Sequence, residues 1–198
     1  DAGKYLNLNI DNLSFEIRED VPHGEFLAAG IYTRNELLPN TFGSKDFFIS
    51  MLGSHRGELG GSRYLHLLNQ ENKGNRPVVD LLMESRLQEA VLTGIHGGLI
   101  QSARAIGRGG VALAIAKSFE KKSNLGARIH FSRKLKSEEL LFGETQGLVL
   151  VTIKENDLME FERICMTIGV PATTIGRVTG DGFYTFNKSI KLPVKELN

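Results

Sequence analysis

Residues 148–178 restrict the fold of this chain more than any other stretch. Leu148 to Ile153 is rich in apolar and β-branched residues, interrupted only by Thr152, and reads as a strand. Asn156 to Ile168 then sets Leu158, Met159, Phe161, Ile164, Cys165 and Ile168 at helical spacing, which predicts one apolar face. Gly169-Val170-Pro171 stops that helix, and Ala172 to Val178 reads as a second strand. A strand, a helix and a strand within about 30 residues make a β-α-β unit, for which a right-handed crossover is strongly favoured. Thr179-Gly180-Asp181-Gly182 supplies turn chemistry, so Gly182 to Asn187 is expected to pair back as a hairpin.

The segments before this unit extend the same pattern. Asp46 to Leu52 is a strongly apolar strand, and Ser62 to Leu68 opens a helix that Asn69 to Pro77 breaks. Val79 to Ile95 carries Leu82, Leu87, Val91 and Ile95 near helical spacing. Gly109 to Phe119 is a helix apolar nearly all round, hence buried, and Leu125 to Phe131 alternates as a strand. Residues 1–41 read differently. Tyr5 to Ile10, Leu13 to Ile17 and Phe26 to Tyr32 are short strand candidates, and Leu37 to Ser44 looks like a connector. Residues 1–41 are therefore expected to be a fragment or linker of a preceding domain. Residues 42–198 are expected to form one α+β domain, a mixed β-sheet flanked by helices.

Composition removes several functional classes. Hydrophobic residues are 41% and charged residues 24% of the 198, which excludes wholesale disorder. Lys and Arg number 24 against 23 Asp and Glu, so the chain lacks the positive excess of a general nucleic-acid or anionic-membrane binder. No apolar run approaches the roughly 18 residues that span a bilayer. A single Cys forms no internal disulfide and points to a reducing cytoplasm. The start, Asp1-Ala2-Gly3-Lys4, is neither a signal peptide nor an initiator Met, which fits an excised piece.

Glycine is the unusual residue: 22 of 198 is about 11%, against an average near 7%. Three glycine-bearing junctions are candidates for chemistry. In Glu58-Leu59-Gly60-Gly61-Ser62, the glycines Gly60 and Gly61 leave amides open and Ser62 can cap the following helix; an anion seat and a plain capped turn both fit. In Gly107-Arg108-Gly109-Gly110, the pair Gly109 and Gly110 opens an apolar helix with Arg104 and Arg108 beside it, fit for phosphate or simply for close packing. It lacks the Lys-[Ser/Thr] ending of a P-loop and the context of a dinucleotide fold. The third, Leu141 to Gly147, aligns Glu144, Thr145 and Gln146 at a strand mouth, either a ligand cleft or a polar turn.

Other candidates carry less. The five His residues, His23, His55, His66, His96 and His130, show no metal-ligand spacing. Cys165 falls on the apolar face of its helix and reads as inert core. No Ser-His-Asp or Cys-His arrangement is legible, so no catalytic residue is assigned. Seven basic residues between Lys117 and Lys136 lack interleaved aromatics and read as a solvated or subunit-facing rim.

Taken in order, these stretches resemble the C-terminal domain of the aminoimidazole ribonucleotide synthetase superfamily, and within it the last such domain of the phosphoribosylformylglycinamidine synthase branch. The resemblance runs over about residues 42–198. It rests on Phe47 to Gly53, Glu58 to Leu65, Val79-Asp80-Leu81 with Arg86 to Glu89, Gly98 to Ala103, Gly109 to Ala116, Leu141 to Gln146, Gly169-Val170-Pro171 and Ile175 to Val178. The alternative within the superfamily is another ATP-dependent enzyme of the thiamine-monophosphate kinase or selenophosphate synthetase type, and the Glu-Leu-Gly-Gly-Ser-x-Tyr-Leu stretch of Glu58 to Leu65 is the feature that discriminates the two.

The resemblance implies a domain of an ATP-dependent carbon–nitrogen ligase of purine biosynthesis. Such a ligase converts formylglycinamide ribonucleotide to its amidine with Mg²⁺ and glutamine-derived ammonia, using a fused or separate glutaminase. It also implies that the catalytic residues and the ATP and Mg²⁺ ligands lie on upstream domains, so that this domain is non-catalytic by itself. The binding residues expected here are Gly60, Gly61 and Ser62 as an anion seat, Gly109 and Gly110 at the helix start, and Glu144, Thr145 and Gln146 at the cleft. Where the branch has His-Asp and a further acidic residue before the Gly-Gly pair, this chain has Arg104-Ala105 and Arg108. Guanidinium in place of carboxylate reverses the local charge and argues against Mg²⁺-nucleotide chemistry at this point. A stand-alone module that senses a small anion is the reading from a different class.

Overall fold

The computed structural model describes residues 37–69, 73–120, 123–131, 135–187 and 190–197. The strand candidates at 5–10, 13–17 and 26–32 lie outside them. Residues Leu38–Asn198 form one compact unit. Its elements run β1 (Phe48–Leu52), α1 (Arg63–Leu67), α2 (Leu81–His96), β2 (Ile100–Ala105), α3 (Gly110–Ala116), β3 (Gly126–Ile129), α4 (Ser137–Phe142), β4 (Val149–Ile153), α5 (Leu158–Ile168), β5 (Ala172–Thr179), β6 (Phe183–Phe186) and β7 (Ile190–Pro193).

The strands form one mixed sheet in the order β2-β4-β1-β5-β3-β6-β7. β1 is antiparallel to both β4 and β5, so those two run parallel to each other with α5 as their crossover. The β-α-β unit read from the sequence is present, with β1 inserted between its strands. The expected hairpin is not. β3 lies between β5 and β6, antiparallel to the first and parallel to the second. The turn at 180–182 therefore strides over the end of β3. Gly126 makes this possible: a Cβ there would meet the Asp181 carboxylate and the Phe183 backbone. Asp181 ties the turn by accepting from the Thr179 hydroxyl at 2.6 Å and the Phe183 amide at 3.1 Å. β6 instead pairs antiparallel with β7, a strand the sequence pattern did not reveal.

The alternation of side chains builds two cores. Ile49, Met51, Leu150, Ile175, Ala127, Ile129, Tyr184 and Phe186 face α3 and α4 on one side of the sheet. Leu52, Val151, Ile153 and Ile100 face α2 and α5 on the other. Phe161 and Cys165 of α5 and Leu87 and Ala90 of α2 fill that second core. Each fully buried large side chain contributes about 1.5–3 kcal/mol. Met159 is 83% exposed and Leu82 is 55% exposed, so neither lies on the buried face assigned to it by spacing alone. Both sit in the first turn of their helices, where rotation about the axis points them away from the sheet. Polar strand residues are satisfied laterally: Ser102 and Thr152 share a buried hydrogen bond of 2.6 Å, and Ser50 and Thr174 a partly buried one of 3.0 Å.

Caps set the helix limits. Asp80 accepts from the Met83 amide at 3.0 Å, so α2 starts at Leu81 rather than Val79. Gly169, with φ of 83°, ends α5 in the left-handed conformation.

Candidate functional site

The three glycine-bearing junctions converge. Ser62 is buried and its Oγ accepts from the Leu65 amide at 3.3 Å, capping α1. Gly109 is the N-cap of α3 with φ of 85°, and Gly110 follows with φ of 64°. A Cβ on Gly110 would come within 2.6 Å of the Leu141 carbonyl and 2.8 Å of the Gly143 carbonyl, so glycine is what lets α3 meet the end of α4. Leu141 and Phe142 close α4 and do not belong to an open polar loop.

The third junction supplies the link. Glu144 Oε1 accepts the Arg63 amide at 2.8 Å and the Gly109 amide at 2.8 Å, joining the starts of α1 and α3. A carboxylate there complements the partial positive charge of both helix starts. The Glu144 amide in turn donates to the Glu58 carbonyl at 2.8 Å. Thr145 is buried, and its Oγ1 accepts from the Arg56 amide at 3.2 Å. Gln146 is exposed and donates to the Glu144 carbonyl at 3.3 Å.

Beside this clasp lies a hollow of about 220 Å³ lined by Gly61, Ser62, Arg63, His66 and Arg108. Gly60 is buried against Asn75, whose carbonyl would collide with any Cβ at that position. Arg63 and His66 are the residues that reading the sequence for glycine junctions missed; their signal was position, the first and fourth residues of the capped helix. Arg104 departs from its expected place. It donates to the Lys117 carbonyl at 2.8 Å and to Ser118 Oγ at 3.0 Å, capping the far end of α3. Burial lowers its pKa from the usual guanidinium range. β2 carries Arg104 antiparallel to β4, and this places it at the C-terminal end of α3, away from Arg108.

Glu58 anchors a second polar cluster. Its carboxylate accepts the Val78 amide at 2.9 Å and Arg56 Nε at 3.0 Å. Burial works to raise its pKa, but the Val78 amide, the Thr145 hydroxyl and Arg56 outweigh it and hold the carboxyl below its usual range. Arg56 also donates to the Val78 carbonyl at 2.7 Å, so the pair ties Val78 to the loop between β1 and α1. His55 is buried, with Nδ1 accepting from the Gly57 amide at 3.3 Å and Nε2, assigned the proton on that basis, donating to the Leu140 carbonyl at 2.9 Å. Its role is structural. Cys165 is buried, and burial together with Glu162 pushes its thiol up to about 11.

A metal does not fit here. Among the described residues no three His, Cys, Asp or Glu side chains come together to hold one. The carboxylate beside the hollow, Glu144, already accepts two amides, and the hollow's charged walls are Arg63 and Arg108.

Residues 48–187 match the family described as AIR synthase related protein, C-terminal domain. The chain belongs to this family. Among its relatives, the phosphoribosylformylglycinamidine synthase subunit PurL of Symbiobacterium thermophilum is 36% identical over 137 residues, covering 68% of this chain and 18% of that protein. The subunit of the same name from Caldanaerobacter subterraneus is 39% identical over 132 residues, covering 67% of this chain and 18% of that protein. The solved phosphoribosylformylglycinamidine synthase II of Thermotoga maritima superposes with a TM-score of 0.66 at 21% identity, over 81% of this chain and 27% of that one. T. maritima PurL complexed with FGAR gives 0.68 at 23% identity, over 81% of this chain and 29% of that one. The AIR synthase related C-terminal domain thus shares its fold with these enzymes and spans about a fifth of the length of the curated relatives. Among the described residues no helix is long and apolar enough to cross a membrane.

Proposed function

We propose that this chain serves as the C-terminal domain of an ATP-dependent ligase of purine biosynthesis. The reaction is conversion of formylglycinamide ribonucleotide to formylglycinamidine ribonucleotide with glutamine-derived ammonia. The observation that carries this reading is the family match over residues 48–187, joined to relatives named as subunits of that synthase. Solved T. maritima PurL structures are complexed with ATP, ADP and FGAR, which supports ATP and the ribonucleotide as ligands of the whole enzyme. A T. maritima PurLQS structure supports partner subunits for the whole enzyme; a glutaminase, fused or separate, is the partner this reading requires. Mg²⁺ belongs to the ATP-binding domains of such an enzyme, in the cytoplasm.

Within that enzyme this domain acts without catalysing. Two groups of reactive type elsewhere in the domain are tied into its structure: His55 is buried and hydrogen-bonded on both nitrogens, and Cys165 is a buried thiol. What Arg63, Arg108 and the floor at Gly61 and Ser62 support is attraction of an anionic group, with Gly60, Gly109 and Gly110 shaping the backbone and Glu144 joining the two helix starts.

The test is complementation. Amidine formation from the ribonucleotide is assayed with ATP, Mg²⁺ and ammonia for this chain alone. It is then assayed for this chain added to the Caldanaerobacter subunit lacking its own C-terminal domain. No turnover alone and restored turnover on mixing is the expected result. Turnover by the chain alone would overturn the non-catalytic role, and restoration by the relative's own domain but not by this one would overturn the assignment.

A further inference from the structure

Among the described residues, the helices α2 and α5 cover the outer face of the sheet over only part of its width. The core under α2 and α5 takes side chains from β1, β2, β4 and the start of β5, and none from β3, β6 or β7. Over those strands the residues opposite the inner core alternate outward: Arg128 beside buried Ala127 and Ile129, Thr185 between buried Tyr184 and Phe186.

The register aligns these outward residues in one row. Phe48 pairs with Arg177, Arg177 with Arg128, Arg128 with Thr185, and Thr185 with Lys191. Five strands at ~4.8 Å spacing make a row about 19 Å long. Three of its five members are cations. Arg177 and Arg128 stand directly opposite each other across adjacent strands, an arrangement that costs stability in an isolated sheet. Glu155 lies 3.5 Å from Arg177, and the Asp181 carboxyl is held low mainly by the Thr179 hydroxyl, with Arg128 the smallest contributor.

We propose that this cationic row docks an acidic protein surface, one that presents carboxylates at strand spacing to Arg177, Arg128 and Lys191. Charge complementarity names the occupant, and the two aromatic residues on this face exclude the principal alternative. Arg177 lies 4.3 Å over the Phe48 ring and Lys191 4.3 Å over the Phe183 ring. The chain's own cations thus cap the ring faces on which the bases of a single-stranded nucleic acid would stack. This inference does not depend on the ligase reading.

The test is an amide NMR titration of the whole chain with a short poly-glutamate peptide, with a short oligothymidylate as comparator. Poly-glutamate is expected to bind, to shift the amides of Arg128, Arg177, Thr185 and Lys191, and to weaken as salt is raised toward physiological strength. Reversing two exposed charges together, Arg128→Glu with Lys191→Glu, is expected to weaken binding by about tenfold. The neutralising pair, Arg128→Gln with Lys191→Gln, gives the same reading should the reversal disturb folding. No binding, binding that survives both double variants, shifts confined to other residues, or equal affinity for oligothymidylate each overturns the proposal.

Discussion

Glu144 Oε1 accepts the Gly109 amide at 2.8 Å, placing a carboxylate from the β4 junction on the start of α3. The same atom accepts the Arg63 amide at 2.8 Å, so one side chain ties together three segments distant in sequence. Removing it leaves two helix-start amides without their anionic acceptor. Glu144→Ala is expected to cost about 2 kcal/mol and Glu144→Gln about 1 kcal/mol, since the amide oxygen still accepts. Urea denaturation measures both. A loss below about 0.3 kcal/mol for the alanine variant means water replaces the carboxylate freely and the clasp is incidental.

Adjacent glycines at 60 and 61 have opposite reasons for being glycine. A Cβ on Gly60 collides with the Asn75 carbonyl, whereas a Cβ on Gly61 meets nothing within 4 Å but sits on a φ of 72°. Gly60→Ala is expected to lose about 3 kcal/mol through overpacking against backbone. Gly61→Ala is expected to lose only about 1 kcal/mol, the cost of a left-handed alanine. Thermal or urea melts of the two variants decide it, and equal losses contradict the packing described.

Glu58 gives the domain a predictable acid limb. Its folded pKa lies below the unfolded value, so the stability it contributes is fully present above about pH 4.5 and is lost as pH falls through the folded pKa. The difference in stability between wild type and Glu58→Gln is therefore expected to be constant from pH 5 to 7 (about 1 kcal/mol from the altered hydrogen bonds) and to shrink below about pH 4.5. Denaturation midpoints against pH check the sign; a difference that grows on acidification refutes it.

Cys165 is expected to be silent toward thiol reagents in the native state. With its pKa at about 11, only about a thousandth is thiolate at pH 8, and it is buried as well. Labelling with a chromogenic disulfide is expected to be at least about a hundredfold slower than in urea. Rapid native labelling means that α5 opens far more readily than its packing against the sheet implies.

The amino-acid sequence alone determined the local elements and the apolar periodicities that define them. The β4-α5-β5 crossover, the Ser62 cap and the inert place of Cys165 were legible because each depends on residues close in the chain. Arg104 shows where that legibility stops. It sits four residues before Arg108, yet β2 pairing carries it to the opposite end of α3. Met159 fits a helical stripe but points away from the sheet, because helix rotation is set by what packs beneath it.

Sheet order and the merging of the three glycine junctions were decided only by tertiary structure. Whether β6 lies beside β5 or one strand farther depends on Gly126 and the Asp181 turn meeting across the end of β3. The hydrogen bonds of Glu144 reach residues 35 and 81 positions away. Periodicity records which face a side chain takes within its own element; which distant element that face meets depends on long-range packing, which only the folded chain defines.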